Sequence, residues 1–514
     1  MIITFIHNFK KVQKIYKDSF EAYSYDASKD IQSLIFEFAN NFPDAQLLWV
    51  HESLKESINY NSIENIIKSN VMCFYNPSKA EFLSDKVGYV EPSPFININK
   101  EVVFPTWQAS GFVGTISAQD FVSYGTRFLK ENFSFGYFLT IMAKIGHRNG
   151  LLTYSNPNLL KEKKNVESCL GTTKELFYWT AQYYGFSKCL QLFLLFFLYE
   201  KKFPALALLN VFFVKRIAFE VNSKVVGNDF SNVDLQKVTL DVLIPTIGRK
   251  KYLYDVLCDL KSQTKIPNRI IIVEQNPLEN TQTELDYLTN ETWPFGIVHH
   301  FIHQAGACNA RNIALNEVQS DWIFFADDDI KLPSDFIEKS LKAILETNEK
   351  AFTLACFREN ETPVFQHLMH WDTFGSGCSI VKREALEGLQ FDMRFENGFG
   401  EDADFGMQLR NKGFDVIYLP QPQILHLKAP VGGFRVKPTF PWQDEQFQPK
   451  PSPTVMLFKK MHHTKAQILG YKLNLFLKYY KNQSIKNPFK YYKTMQKQWE
   501  VSEKWAEKLK LQSK

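Results

Sequence analysis

Hydrophobic and polar positions in the second half of the chain follow the periods of short strands and amphipathic helices. Unbroken apolar runs at residues 238–244 and 270–274 predict buried strands, and residues 297–302 predict an edge strand. Apolar residues recur at helical spacing up to residue 264 and again over residues 310–318. Strands and helices in this order predict βαβ units, and therefore a mostly parallel α/β sheet with right-handed crossovers.

One apolar run, residues 322–326, ends in three consecutive carboxylates, Asp327, Asp328 and Asp329. Ligands of open α/β sheets bind outside the carboxyl ends of the strands, so these acids are expected where a substrate lies. Carboxylate oxygens favour Mg²⁺ or Mn²⁺, usually together with substrate phosphates. The run indicates a site for a metal and a diphosphate, and a polar junction between a strand and a surface loop is the alternative.

Residues on both sides of this acidic run have chemistry that suits such a site. Gly306 opens a segment with Asn309 and Arg311 that leads into a helix, which offers free backbone N–H groups and a guanidinium to a diphosphate. Gly375 and Gly377 come just before a predicted strand. Without side chains, glycines let the protein backbone approach a ligand closely. A capped helix with a surface arginine and two ordinary turns explain the same residues without a ligand.

Two further candidates follow in the chain. Glu401 and Asp402 precede a helical pattern at residues 405–412, where acids also serve as cap and dipole residues. His426 follows a strand-like segment at residues 416–419, and a neutral imidazole would complete a metal shell that carboxylates begin. A histidine with a purely structural role is the alternative.

In this order the residues resemble a GT-A-fold glycosyltransferase of the family 2 type. The resemblance covers residues 238–435 and rests on the strand end Pro245-Thr246-Ile247-Gly248-Arg249, the strand that ends in Glu274, the segment Asn309-Ala310-Arg311-Asn312, the three aspartates and the Glu401-Asp402 pair. Glu274 stands where the family commonly has Asp. Residues 375–410 are also similar to the acceptor-side segment of galactosyltransferases and N-acetylgalactosaminyltransferases.

The resemblance implies a role for each of these residues. Asp402 is expected to remove the proton from an acceptor hydroxyl, and Asp329 and His426 are expected to hold Mn²⁺ or Mg²⁺. The donor, a nucleotide sugar with a UDP-sugar favoured, is expected to contact Pro245, Thr246, Arg249, Glu274, Asn309, Arg311, Asp327, Asp328, Gly377 and Glu401. A single displacement then inverts the anomeric carbon, and the acceptor is expected to be a glycan or a lipid-linked molecule.

The N-terminal part of the chain repeats features of this unit at a fixed offset. Glu131-Asn132 and Pro157 correspond to Glu396-Asn397 and Pro422 with an offset of 265 residues at both ends. The repeat predicts a second, degenerate GT-A-like unit over residues 1–165.

The predicted first unit lacks the acids of the second. Val50, His51 and Glu52 stand roughly where the second unit has its three aspartates, and Gly136 and Tyr137 stand at the Glu401-Asp402 positions. A single Glu52 is a poor replacement for a metal site, so the first unit is expected to be non-catalytic. Acceptor binding, dimerisation and support of the catalytic unit stay open as its role.

Two strongly apolar runs lie between the units, at residues 190–199 and 203–214. Each is well short of the roughly 20 residues that span a bilayer, and Glu200, Lys201 and Lys202 interrupt them. They predict buried or interfacial helices in a helical connector rather than a transmembrane pass.

The formal charge of +5 is concentrated at the C-terminus. Residues 455–514 hold fourteen Lys and three Glu, a net charge of +11, which leaves −6 for the rest of the chain. Interleaved with the lysines are Phe476, Tyr479, Tyr480, Phe489, Tyr491, Tyr492, Trp499 and Trp505. This composition favours peripheral contact with an anionic membrane, and helices whose aromatic rings pack back on the protein are the alternative. No nucleic-acid-binding module accompanies the charge, so nucleic acid is not an expected partner.

The seven cysteines are scattered without a CxxC pair, which favours reduced thiols in the cytoplasm. Residues 1–17 lack the continuous apolar core of an export signal. These patterns predict a cytoplasmic protein, and the basic tail adds peripheral contact with the inner face of the plasma membrane as an option.

The predicted organisation has four segments: a degenerate GT-A-like unit at 1–165, a helical connector at 166–234, a catalytic GT-A unit at 235–440 and a basic aromatic helical tail at 441–514. The expected activity is metal-dependent, inverting transfer of a hexosyl group in surface polysaccharide biosynthesis, and homo-oligomerisation stays open.

Three other functions were weighed against the same residues. A nucleotidyltransferase acting on sugar phosphates would carry a glycine-rich, basic loop after its first strand, where this chain has one Gly248 and one Arg249. A two-site polymerase would need a second acidic run. A non-catalytic glycan-binding protein has no need to combine Asp329 with Asp402.

Overall fold

The computed structural model describes residues 1–18, 21–66, 69–129, 133–217, 234–347, 349–429 and 439–512. These residues divide into two compact units, one formed by residues 1–223 with 463–482 and the other by residues 224–462 with 483–514. The Glu131-Asn132 pair, which marks one end of the repeat in the sequence, lies outside the described residues. The four predicted segment boundaries stay predictions.

The described part of the first unit is built on an eight-stranded sheet of order β3-β2-β1-β4-β7-β5-β8-β6. Its strands are β1 (Ile2–His7), β2 (Val12–Lys17), β3 (Glu21–Ala22), β4 (Gln46–His51), β5 (Val71–Tyr75), β6 (Phe104–Pro105), β7 (Val113–Ser117) and β8 (Leu152–Ser155). β1 and β4 are parallel, as are β5 and β8, whereas β7 runs antiparallel to β4 and β5.

Helices cover this first sheet and connect it to the next segment. They are α1 (Ile31–Asn41), α2 (Tyr60–Asn65), α3 (Ala118–Gly125), α4 (Phe135–Gly146), α5 (Thr173–Tyr184), α6 (Phe186–Leu195) and α7 (Ala205–Asn210), with a π-helical turn at Phe196–Glu200. Every residue of α4 is buried, which explains its nearly continuous apolar sequence. α5 begins with a capping box in which Thr172 and Glu175 satisfy each other's backbone N–H groups.

The second unit carries nine strands in its described residues. They are β9 (Leu240–Thr246), β10 (Arg269–Gln275), β11 (Gly296–Ile302), β12 (Trp322–Ala326), β13 (Ile330–Lys331), β14 (Ala351–Phe357), β15 (Met369–His370), β16 (Cys378–Lys382) and β17 (Ile417–His426). The order is β11-β10-β9-β12-β16-β14-β17-β13, and β15 pairs with β17. The first four are mutually parallel, as the sequence predicts, but β16 runs antiparallel to both β12 and β14.

The helices of the second unit are α8 (Lys250–Lys261), α9 (Tyr287–Asn290), α10 (Ala307–Asn316), α11 (Phe336–Thr347), α12 (Arg383–Leu386) and α13 (Glu401–Asn411). α10 begins three residues earlier than the sequence pattern suggests. α13 begins at Glu401 rather than at residue 405, so Glu401 and Asp402 belong to its first turn.

The two sheets share their central order, because β1-β4-β7-β5-β8 has the same relative directions as β9-β12-β16-β14-β17. Adding the 265-residue offset to Val113–Ser117 gives Cys378–Lys382, and adding it to Ala118 and Leu152 gives the first residues of α12 and β17. The sheets differ at their edges, since β2 is antiparallel to β1 whereas β10 is parallel to β9. The described residues of the first unit also have no strand between β4 and β5 that matches β13.

The C-terminal segment is helical, with α14 (Pro453–His462), α15 (Lys465–Tyr480) and α16 (Pro488–Lys510). α15 belongs to the first unit, and α14 and α16 belong to the second. Phe476, Tyr491 and Trp499 are buried, and Trp505 donates its indole N–H to Glu445 at 2.7 Å. Four of the eight interleaved aromatic residues are therefore engaged with the protein, while Tyr479, Tyr480, Phe489 and Tyr492 are exposed.

The predicted fold class is confirmed: two α/β sheet units, a helical connector and a helical C-terminal segment are present. In the part of the chain that the structure describes, no helix combines the length and apolarity needed to cross a membrane.

Candidate functional site

The three aspartates lie at the edge of the second sheet where two parallel strands end. Phe325 of β12 is paired with Leu243 of β9, so the residues that follow Ala326 and those around Thr246 emerge at the same edge. This is the position at which ligands bind in open α/β sheets.

Asp327, Asp329 and His426 form a cluster in which one ligand atom from each residue lies within 4.8 Å of the others. The antiparallel pairing of β13 with β17, which sets Ile330 opposite His426, brings the histidine to the aspartates. His426 Nε2 lies 3.3 Å from Asp329 Oδ1. Two carboxylates and an imidazole are a donor set that suits Mn²⁺ or Mg²⁺, and the cluster adds Asp327 to the two predicted ligands.

Asp329 is held in its ionised form by its surroundings. Burial acts to raise the pKa of this carboxyl, but His426, the Ala429 N–H at 2.9 Å from Oδ2 and the Arg249 guanidinium outweigh burial and lower the pKa to about 2. The hydrogen bond to Asp329 in turn raises the pKa of His426. An ionised carboxylate at this position is what a divalent cation requires.

Asp328 points into the protein rather than toward the cluster. Thr246 Oγ1 donates to its Oδ2 at 2.6 Å, and Arg249 donates to its Oδ1 at 2.5 Å. Arg249 also lies 3.2 Å from Asp329 Oδ2, so one guanidinium offsets two of the three charges. Burial raises the pKa of Asp328 to about 6. Three of the predicted donor-binding residues are thus brought together, but they contact one another and fix the two loops.

Arg311 and Gly377 lie on either side of Asp327. A terminal nitrogen of Arg311 is 3.6 Å from Asp327 Oδ1, and its guanidinium lies 5.5 Å from the centre of the Phe391 ring. A Cβ atom at Gly377 would collide with the Asp327 carboxylate, so any larger residue here would force that carboxylate to move. Gly377 therefore leaves room for the Asp327 side chain beside β16.

The start of α10 does not offer the free backbone donors that the sequence suggested. The N–H groups of Cys308 and Asn309 donate to the Glu396 carboxylate at 3.2 and 2.8 Å. A Cβ at Gly306 would collide with the same carboxylate, and the Gly306 N–H donates to Gln275 at 2.6 Å. The expectation of free N–H groups here is wrong because a distant acidic side chain caps the helix. The predicted contact of Asn309 with a donor stays a prediction.

Asp402 lies in the first turn of α13 beside Glu401. Burial raises the pKa of both carboxyls, and for Asp402 the charge of Arg311 and the proximity of Ser376 partly offset this effect. Within the described residues, Asp402 Oδ1 is buried without a hydrogen-bond partner. One oxygen of this carboxylate is therefore available to accept a proton from a hydroxyl that enters the site.

Hydrogen bonds to Asp404, two residues after Asp402, anchor the first turn of α13. Asp404 accepts a 2.6 Å hydrogen bond from His462 of α14 and a 2.7 Å bond from Gln408. Gly400, which precedes the helix, has a positive φ of 118° that favours glycine. These contacts hold the first turn of α13 against α14.

Glu274 faces the loop that follows its own strand. Its carboxylate accepts from Thr283 Oγ1 at 2.5 Å and lies 3.0 Å from His299 Nε2. Burial opposes ionisation, but these contacts lower the pKa of Glu274 below its ordinary value. Pro245, the remaining predicted donor contact, lies in β9 opposite Val273.

Sequence reasoning did not assign the residues that support the site. In the sequence, Glu396 stands out only as half of a repeated pair, and Ser376 only lies between two glycines. His299 and Phe391 gave no signal, because their roles depend on partners that are distant along the chain.

The corresponding edge of the first unit is filled with aromatic rings. Val50 is paired with Val113 as Ala326 is with Cys378, so His51, Glu52 and Ser53 occupy the positions that the three aspartates have after β12. This register is one residue later than the sequence comparison suggested. The His51 ring is stacked on Phe9 with centroids 4.5 Å apart.

Further residues close this edge. Phe112, at the position of Gly377, lies edge-on to Phe9 at 4.9 Å and to His51 at 5.7 Å. His7 is fully buried beneath them, and burial lowers its pKa to about 3. Tyr137, at the position of Asp402, is buried and donates its hydroxyl to Gln182. The first unit therefore has rings where the second has carboxylates.

Comparison with known proteins agrees with these observations for the second unit. Residues 241–410 match the model of the family "Glycosyl transferase family 2". A curated protein of Haemophilus influenzae described as an uncharacterized glycosyltransferase is 29% identical over 105 residues, which are 20% of this chain and 34% of the relative. The chain thus spans about a third of that relative's length.

Some solved structures resemble part of this chain at low sequence identity. S. aureus TarS has a TM-score of 0.31 and 17% identity, and the likeness covers 38% of this chain and 37% of TarS. GalNAc-T7 with UDP, GalNAc and Mn²⁺ has a TM-score of 0.32 and 13% identity over 38% of this chain and 44% of its own.

Proposed function

We propose that this chain, which carries a glycosyltransferase family 2 domain at residues 241–410, transfers a hexosyl group from a nucleotide sugar to a hydroxyl of a glycan or glycoconjugate. The single observation that carries the proposal is the proximity of two separate acidic features, since the charges of Asp327 and Arg311 both act on the pKa of Asp402. One is the cluster of Asp327, Asp329 and His426, and the other is Asp402 with its unpartnered buried oxygen.

The cluster suits a divalent cation, Mn²⁺ or Mg²⁺, held by Asp327, Asp329 and His426. When bound, such a cation supplies a positive charge that stabilises the departing nucleoside diphosphate. Arg311 adds a second positive group, since it lies 3.6 Å from Asp327 and its planar guanidinium matches phosphate oxygens. A UDP-sugar is the favoured donor in this proposal, while a galactosyl or N-acetylgalactosaminyl specificity rests on the sequence resemblance alone.

Asp402 acts as the base in the proposed reaction. Its carboxylate accepts the proton of the acceptor hydroxyl through the oxygen that has no partner within the protein. The hydroxyl oxygen forms the new bond to the anomeric carbon as the bond to the diphosphate breaks, so one displacement inverts that carbon. Arg311 and Ser376 both act to lower the pKa of Asp402, which favours the ionised carboxylate.

The biological setting is part of the same proposal. Surface polysaccharide biosynthesis, at the cytoplasmic face of a membrane and on a glycan or lipid-linked acceptor, suits a sugar-transferring domain. None of the seven cysteines, all of which lie in the described part of the chain, forms a disulfide. Peripheral membrane contact through residues 441–514 and homo-oligomerisation stay predictions. No observation at the site favours a nucleotidyltransferase or a non-catalytic glycan-binding protein.

The test is a screen of nucleotide sugars for release of nucleoside diphosphate, with Mn²⁺, Mg²⁺ or a chelator. Asp329→Ala is expected to lose metal-dependent donor binding in calorimetry. Asp402→Asn is expected to keep donor binding and to lose turnover by about 10²–10⁴-fold, the usual contribution of a positioned base.

Asp255→Asn is the matched control, because Asp255 is an exposed acid on α8 outside the cluster. It is expected to retain wild-type turnover. Full activity in both Asp329→Ala and Asp402→Asn would refute the proposal, and an NMR assay of the product's anomeric configuration tests inversion separately.

A further inference from the structure

The connector helices of the first unit expose an unusually apolar surface. The exposed fractions are 69% for Phe203, 78% for Leu206, 66% for Leu209, 58% for Phe212 and 88% for Phe213. Leu190, Leu194, Phe197, Leu198 and Tyr199 are also exposed. Ten large apolar side chains within 24 residues thus face away from the protein, and we call this surface the 190–213 face.

These helices are apolar on two sides. Leu192, Leu195, Phe196, Ala207 and Val211 are buried in the core of the first unit. This inner side accounts for the folding of the segment, since burying it stabilises the unit. The outer side contributes nothing to that core, and contiguous exposed patches of this kind mark interaction surfaces rather than ordinary protein surface.

The exposed charged residues on and beside the 190–213 face, between residues 190 and 216, are all basic. Lys201, Lys202, Lys215 and Arg216 are exposed on or beside it. The acid of the segment, Glu200, is 2.7 Å from Lys86 and accepts a 2.6 Å hydrogen bond from Tyr89, so its charge is matched within the unit. The rim that remains available to a partner is positive, which is complementary to an anionic surface.

The same face contains a cavity lined by both apolar and basic side chains. Its volume is about 400 Å³, and it is lined by Phe203, Pro204 and Leu206 together with Lys174 and Lys202. Apolar walls together with two lysine side chains suit a molecule that has an acyl chain and an anionic head. A flat protein partner would leave such a cavity unfilled.

Helix α15 extends this surface within the first unit. Lys188 of α6 donates to Asn474 of α15 at 3.1 Å, which places the two helices side by side. Leu477 and Tyr480 of α15 are exposed, and Lys478 and Lys481 accompany them. The part of the basic C-terminal segment that packs with the first unit therefore continues the apolar and basic character of the 190–213 face.

We propose that the 190–213 face docks the first unit peripherally on an anionic lipid surface. α6 has ten residues and is about 15 Å long, roughly half the thickness of a bilayer's hydrocarbon core, so these helices lie along the surface. The phenylalanine and leucine side chains enter the boundary between headgroups and acyl chains, and the lysines and Arg216 contact lipid phosphates. The proposal is independent of sugar transfer, because lipid binding needs no donor.

Vesicle binding by the full chain tests the proposal. The wild type is expected to co-sediment with vesicles of phosphatidylcholine and phosphatidylserine, and to bind pure phosphatidylcholine more weakly. The triple variant Phe203→Ser, Leu206→Ser, Phe213→Ser is expected to weaken binding by about a hundredfold, since three large apolar side chains no longer leave water. The variant Lys202→Glu, Lys215→Glu, Arg216→Glu is expected to lose the preference for anionic vesicles.

Val364→Ser and Leu278→Ser are matched controls, because these side chains are 79% and 66% exposed and lie in the second unit. Neither is expected to change vesicle binding. Hydrogen exchange of the wild type provides a measurement without mutation, and vesicles are expected to slow exchange over residues 203–213.

Four results would overturn the proposal. They are absence of wild-type binding to anionic vesicles, unchanged binding by the apolar triple variant, loss of binding on Val364→Ser, and a concentration-dependent dimer that the triple variant abolishes while vesicles leave exchange unchanged. Donor-driven release of nucleoside diphosphate is measured on the same variants. It is expected to be unchanged, so failure of the docking surface is distinguishable from failure of the proposed enzyme activity.

Discussion

The carboxylates at the end of β12 differ in what each one contacts. Asp328 is held by Thr246 and Arg249 inside the protein, whereas Asp327 and Asp329 remain at the edge with His426. Three identical residues in a row thus divide into one that fixes the loop and two that present oxygen ligands. Across the site, Asp402 is distinct again, because burial raises its pKa while one oxygen stays without a partner.

The raised pKa of Asp402 predicts the pH dependence of turnover. Only the ionised carboxylate accepts a proton, so activity is expected to fall as the pH drops through the raised pKa. Ser376 acts to lower the pKa of Asp402 and so favours the ionised form, and Ser376→Ala is therefore expected to move the acidic limb of the profile of kcat against pH to higher pH. The measurement is the rate of nucleoside diphosphate release across the pH range at saturating donor and acceptor.

Ser340→Ala is the control for this shift. Ser340 is a fully buried serine on α11, and it lies outside the site residues described above. An acidic limb that stays in place in Ser376→Ala, or that moves equally in Ser340→Ala, would contradict the role given to Ser376.

Among the elements, α10 shows how a helix that appears ready for a phosphate is already capped. Glu396 accepts from two N–H groups of its first turn and lies against Gly306. The negative charge is also favourable at the positive end of the helix dipole. Glu396 therefore joins the loop before α13 to the helix that carries Arg311.

Removing this cap is expected to loosen α10. Glu396→Ala leaves two backbone donors without their acceptor, and it should lower the free energy of local unfolding by about 1–2 kcal/mol. Hydrogen exchange over Ala307–Asn316 measures the effect. Glu384→Ala is the control, because Glu384 makes only exposed ion pairs with Lys350 and Lys382 and should change stability by less than about 0.5 kcal/mol. Equal rates of exchange over Ala307–Asn316 in the two variants would contradict the stabilisation of α10 by Glu396.

At the scale of the whole molecule, the chain contains two related sheets with different chemistry. The central strand order is repeated, yet Phe9, His51 and Phe112 occupy the edge of the first sheet. A strand matching β13 is absent from the described residues of the first unit, and in the second unit that strand aligns Asp329 with a histidine. We therefore expect the first sheet to keep the architecture without binding a nucleotide sugar.

This difference predicts the stoichiometry of donor binding. Calorimetry with the active donor and Mn²⁺ is expected to give one donor molecule per chain. His51→Ala combined with Glu52→Gln should leave both the stoichiometry and the affinity unchanged, because neither residue faces a ligand site in this proposal. A second binding event, or loss of one on the double substitution, would assign a donor site to the first unit.

Much of the second unit could be anticipated because its signals are local. The apolar runs of β9, β10 and β12 reflect burial on both faces of a sheet, and that burial is visible in each short segment alone. The order of the acidic and basic motifs indicated the class of chemistry. The bounds of α10 and α13 were less predictable, since their first turns are set by Glu396 and by the contacts of Asp404 with α14.

The sequence by itself determined the succession of strands and helices, the presence of two related units, and the acidic residues at which a metal and an acceptor are expected. Only the tertiary structure decided which of these side chains meet. The pairing of β13 with β17 brings His426 to Asp329, Glu396 occupies the N-terminus of α10, and one side of the connector helices is left exposed. Periodicity reports whether a segment is buried, but it does not encode the register and packing of segments that are distant along the chain.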